Sequence, residues 1–88
     1  MKKIINGKTY NTETSEYICG YYNWKPWNDF DAFDTSLYRT KKSNFFKVER
    51  TYFKTEFEPI SEKEAKKYIE KYGNAEDYIK CFGEPEEA

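Results

Sequence analysis

The stretch Thr35-Ser36-Leu37-Tyr38-Arg39-Thr40-Lys41-Lys42-Ser43-Asn44-Phe45-Phe46-Lys47-Val48-Glu49-Arg50-Thr51-Tyr52-Phe53 decides the fold class. Two runs rich in β-branched and aromatic residues flank four polar ones, the pattern of a β-hairpin. Strands are therefore predicted over residues 35–40 and 45–53, with the turn at 41–44. Side chains alternate along a strand, so Phe46, Val48, Arg50 and Tyr52 share one face. Phe45, Lys47, Glu49, Thr51 and Phe53 share the other. The first face is expected to be the core side, with Arg50 near its edge.

Toward the N-terminus, residues 2–5 and 8–10 flank Asn6-Gly7, a two-residue turn signal because both positions favour φ > 0. Residues 11–14 form a polar corner. Residues 15–24 mix alternation (Tyr17, Cys19, Tyr21) with helical spacing (Ile18, Tyr22), and their β-rich composition favours a strand. Residues 25–33, broken by Pro26, read as a loop. Toward the C-terminus, residues 56–60 give one more short strand. Ser61 and Glu64 then form a capping box. Ala65, Tyr68, Ile69 and Tyr72 make one apolar helical stripe. Gly73 is expected to end that helix in the left-handed conformation. Asn74 caps a second helix that turns Tyr78, Ile79 and Phe82 inward and stops at Gly83. The expected architecture is α+β: a small antiparallel sheet of about four or five strands with one or two C-terminal helices packed on one face. Residues 1–83 form one domain, and residues 84–88 an acidic tail.

Composition bounds the function. A chain of 88 residues has room for one core. Aromatics make up 20% of it while aliphatics are few, so aromatic rings must carry the core and some are expected to remain at the surface. Mean hydropathy is −1.09, and the net charge of −1 excludes a strong polycation. The charge is uneven: residues 1–54 hold ten Lys/Arg against six acids, and residues 55–88 five Lys against ten acids. Such asymmetry can steer a charged partner, or it can reflect an acidic helix beside an ordinary solvated sheet. Cys19 and Cys81 belong to no C-x-x-C pair and are expected as free thiols. Lys2 and Lys3 precede no apolar run, so no leader is read and a cytoplasmic location is expected.

Histidine is absent, which removes the commonest general base and every Ser-His or Cys-His nucleophile. Two cysteines cannot complete a four-ligand zinc site, and no phosphate-binding glycine loop occurs. Asp29, Asp31 and Asp34 are the sharpest acidic cluster. An EF-hand counted from Asp29 needs Gly where Asp34 stands and Glu where Thr40 stands. A solvated loop with Phe30 and Phe33 inward is the expected alternative. The expectation is a non-enzyme without cofactor or metal.

Three surfaces remain for binding. Tyr21-Tyr22-Asn23-Trp24-Lys25-Pro26-Trp27 carries too many large aromatics for one core, and Tyr and Trp dominate interface hot spots. The hairpin with Tyr38, Arg39, Lys41, Lys42, Phe45, Phe46, Lys47 and Arg50 interleaves cations with aromatics, as single-strand-binding surfaces do. The C-terminal acids give a third face. The candidate partner-binding residues are Tyr22, Trp24, Trp27, Arg39, Lys41 and Lys42, with Glu62, Glu70, Glu76 and Asp77 as the acidic alternative.

Lys3-Ile4-Ile5-Asn6-Gly7-Lys8-Thr9-Tyr10-Asn11-Thr12-Glu13-Thr14, then Leu37-Tyr38-Arg39-Thr40-Lys41 with Phe45-Phe46, then Pro59-Ile60-Ser61-Glu62-Lys63-Glu64-Ala65 follow one another in a recurring order. The chain resembles the short accessory proteins carried by phages and mobile elements of low-GC Gram-positive bacteria. It departs from their pattern where a glycine-rich segment is replaced by residues 48–54, and where the hairpin-turn glycine is Asn44. Some small mobile-element proteins of this kind are anti-CRISPR inhibitors. The resemblance thus implies a stoichiometric inhibitor that binds a CRISPR–Cas effector and blocks DNA binding or cleavage. A nucleic-acid-binding accessory protein using the basic, aromatic hairpin is the alternative.

Overall fold

The structure, a computed structural model, describes residues 1–88. Strands β1 (Lys2–Ile5) and β2 (Lys8–Asn11) pair as an antiparallel hairpin. Asn6 and Gly7 sit at φ 51° and 76°, as its two-residue turn requires. Strands β3 (Glu16–Tyr22), β4 (Phe33–Arg39), β5 (Phe45–Thr51) and β6 (Thr55–Ile60) form a four-stranded antiparallel sheet in sequence order. Helices α1 (Glu62–Tyr72) and α2 (Ala75–Phe82) follow. The predicted capping box of Ser61 with Glu64 is present. Asn74, the expected cap of the second helix, forms a further box with Asp77.

The helices lie on one face of the sheet, over Ile18, Cys19, Leu37 and Phe45, which pack with Ala65 and Ile69. Tyr68 donates its hydroxyl to Thr35 Oγ1 at 3.0 Å, so the one buried polar side chain of β4 is partnered through the core. The opposite face is also covered. Phe46 and Val48 pack with Tyr10 under the β1–β2 hairpin, flanked by Ile5, Tyr38 and Phe57. Phe46 is fully buried, stacked on Tyr38 and Phe57 and edge-on to Tyr10. The face expected to hold the core thus holds the smaller of two. Phe45, from the other face, joins the larger one.

Two further expectations are corrected. Strand β5 ends at Thr51, and Tyr52 and Phe53 leave it for an exposed turn. Gly73 has φ −101°, outside the left-handed region. Its role is close approach, since a Cβ there would meet Ile69 and the Asp77 carboxylate at 3.0 Å.

The molecule is thin, 43 × 33 × 18 Å, with a radius of gyration of 13.8 Å; a chain of this length is expected near 12 Å. Its accessible surface is 6394 Å², against about 5500 Å² for a monomer of its mass. Three layers stacked across one small sheet leave the two ends of the sheet bare. No helix is long and apolar enough to cross a membrane.

Candidate interaction surfaces at the two ends of the sheet

Antiparallel pairing brings the β3–β4 loop and the β5–β6 turn to one end of the sheet, where Tyr22 pairs with Asp34 and Arg50 with Thr55. The loop is organised by Asn23. Its amide donates to the Asp31 carbonyl at 2.7 Å, and its Oδ1 accepts from the backbone of Lys25 and Phe33, each at 3.3 Å. Its own backbone N–H donates to Phe33 at 3.2 Å. Tyr22 adds a hydroxyl bond to the Lys25 carbonyl. One asparagine therefore fixes both stems of the loop.

Held between these bonds, Trp24 adopts φ 63° and is 86% exposed. Left-handed backbone costs a side-chain-bearing residue about 1–2 kcal/mol. Tyr22 contacts Trp24 edge-on at 5.5 Å and Trp27 at 5.6 Å. The Arg50 guanidinium lies 5.0 Å from the Trp27 ring and also pairs with Asp34 at 3.2 Å. The predicted trio of Tyr22, Trp24 and Trp27 is thus brought together.

Three aromatics expected in the core or along β5 join them at this end. Phe30, expected inward, is exposed and packs on Tyr52 at 4.7 Å and Phe53 at 5.9 Å. Tyr52 and Phe53 are themselves exposed. Ala32 fills the inward position in the loop instead. The turn at residues 52–54 contains no Gly, Pro, Asn or Asp, so nothing in its composition marked it as a turn.

The acidic triplet is spread among separate tasks. Asp29 accepts the Asp31 backbone N–H at 2.8 Å, Asp31 pairs with Lys25 at 3.5 Å, and Asp34 holds Arg50.

The other end carries the β4–β5 turn. Ser43, not Asn44, takes the left-handed conformation, at φ 64°. Thr40 and Asn44 close the turn, and Thr40 Oγ1 accepts the Asn44 N–H at 3.1 Å. Lys41 and Lys42 are exposed at its tip. Arg39 is separated from them in role: it binds Glu16 at 2.7 Å, and Glu16 also takes Lys80 at 2.6 Å. This clamp ties α2 to β3 and β4. The bonds from Lys80 and then Arg39 hold the Glu16 carboxyl below its ordinary range. Phe45 and Phe46 are buried and Tyr38 is half-buried, so the hairpin aromatics have no free face for stacking bases.

The acidic alternative is dispersed. Glu62 opens α1 and lies 3.5 Å from Lys66, whereas Glu70 stands two turns later. Glu76 is exposed on the first turn of α2, and Asp77 is committed to capping Asn74 at 3.1 Å. Four lysines intersperse the acids of α1, so that helix presents no acidic face.

Cys19 and Cys81 are free. Burial pushes the Cys19 thiol up to about 11, so it stays protonated at neutral pH. No family model, curated protein or solved structure matches the chain.

Proposed function

We propose that the protein acts by stoichiometric binding, presenting its aromatic end to a protein partner. The observation that supports this is Trp24, a bulky ring kept at positive φ and almost wholly in water. Both features are unfavourable in the isolated chain, and strained backbone of this kind concentrates at binding sites. Burying one exposed indole removes on the order of 150–250 Å² from water, worth about 4–6 kcal/mol before the costs of association. Trp27, Phe30, Tyr52 and Phe53 are exposed at the same end of the sheet. Arginine and aromatic residues together make the usual composition of hot spots, and Arg50 lies beside Trp27.

The partner we propose is a CRISPR–Cas effector, a nuclease or surveillance complex, whose DNA binding or cleavage is blocked in the cytoplasm of a bacterial host. This narrower half rests on the resemblance to phage and mobile-element accessory proteins. A pull-down against purified effector complexes, with and without guide RNA, tests it. Binding to one effector that Trp24→Ala abolishes is the expected result. Failure of the wild-type chain to bind any of them would remove the CRISPR assignment.

A further inference from the structure

The tip of the β1–β2 hairpin and the tip of the β4–β5 turn face each other across a cleft of about 580 Å³. It is lined by Lys8, Lys41 and Lys42, by the hydroxyl residues Thr9, Thr14, Ser15 and Thr40, and by Asn44. No carboxylate lines it. The nearest acids along the chain are engaged elsewhere: Glu13 with the N-terminal ammonium at 3.8 Å, and Glu16 with Arg39 and Lys80. Lys8, Lys41 and Lys42 take part in none of the ion pairs of the chain. Three uncompensated ammonium groups around one cavity repel one another, and an anion relieves that repulsion.

Both tips are conformationally fixed, by Asn6-Gly7 on one side and Ser43 on the other, so the lysines converge from defined turns. Thr40 Oγ1 already accepts from Asn44, which leaves its own proton to donate into the cleft. The one aromatic in the lining, Tyr10, is buried at 7% exposure, so no ring is offered for base stacking.

We infer that this cleft binds phosphoryl groups, as phosphates presented in series, and reads no base. The site stands independently of the aromatic end and of any protein partner there. Two sources share this chemistry, a nucleic-acid strand and a free polyphosphate.

The test is fluorescence anisotropy of the full chain with a labelled twenty-nucleotide oligothymidylate at 50 and 200 mM NaCl, with tripolyphosphate titrated alone in parallel by calorimetry. Neutralising three phosphates gives a single-strand salt slope near −2, so affinity should fall about 20-fold across that range. The triple variant Lys8→Gln, Lys41→Gln, Lys42→Gln should lose binding, its Lys→Arg counterpart should keep it, and Trp24→Ala should leave it unchanged. All three lysines are exposed, so thermal melting should show the triple variant folded. Oligothymidylate binding that the triple variant loses assigns a strand, and tripolyphosphate binding alone assigns a small polyanion. Binding of neither, binding that survives in the triple variant, or oligonucleotide binding lost in Trp24→Ala would overturn the inference. A negative result here leaves the protein-binding proposal standing, because the lysines and Trp24 lie at opposite ends.

Discussion

The two ends of the sheet are built from the same kind of part, a connection between antiparallel strands, and have opposite character. At one end a long loop and a tight turn hold Trp24, Trp27, Phe30, Tyr52 and Phe53 outward. At the other, two tight turns hold Lys8, Lys41 and Lys42 around a polar cleft. Each end keeps non-glycine residues at positive φ, Trp24 at the first, Asn6 and Ser43 at the second. The difference lies in what that strain displays. At Asn6 and Ser43 the positive φ closes tight turns and displays small polar side chains that water solvates. An exposed indole adds the hydration cost of its ring to the backbone cost, which is why the proposed partner surface is placed at the aromatic end.

The comparison breaks hardest at Phe46, the hub of the small core beneath the β1–β2 hairpin. Phe46→Ala should destabilise the chain by about 3–5 kcal/mol in urea denaturation. It should also release the hairpin that carries Lys8, dismantling the basic cleft. Hydrogen exchange in β1 and β2 should rise more than in the β3–β4 loop. The converse lesion is Asn23→Ala, which strips the clamp from the Asp31 carbonyl and the Phe33 amide. A loss of about 2–3 kcal/mol is expected, with exchange rising in residues 24–31 while the lysine cleft is unaffected.

Finer distinctions come from the strained positions. Trp24→Gly should be more stable than Trp24→Ala by about 1 kcal/mol, because only glycine is at ease at φ 63°. Both should lose the partner, which separates strain from contact. Melting curves of the two variants decide the point, and an unchanged order would mean that the loop relaxes once the ring is gone. Ser43→Gly should stabilise by about 0.5 kcal/mol without altering the proposed phosphate binding.

The smallest effect is electrostatic. Glu16 has its carboxyl held below the ordinary range by Lys80 and Arg39. The unfolded chain therefore takes up the proton first on acidification. The stabilisation is complete above the unfolded-state value and is lost as pH falls through the lower folded-state one. Being partly exposed, the cluster should contribute only tenths of a kcal/mol. Glu16→Gln should flatten the melting temperature between about pH 5 and pH 3 relative to wild type.

The turn chemistry and the two helix caps were legible because they are local: Asn6-Gly7, Ser61 with Glu64, and Asn74 act on their own neighbours. The strand hairpin at residues 35–53 and the α+β class follow from alternation and composition. The surplus of aromatics in residues 21–27 also announced the end that carries Trp24. Which face of β5 meets the helices was not legible, since both faces are apolar at Phe45 and Phe46 and alternation cannot rank them. Nor could sequence place Phe30 beside Tyr52 and Phe53, or Lys8 beside Lys41 and Lys42. Those neighbours are twenty or more residues apart, and only the stacking of hairpin, sheet and helices brings them to the same end. Local pattern and composition fix the elements and the kinds of surface available. Where those surfaces converge follows from long-range packing, which sets which side chains lose water and which stay exposed.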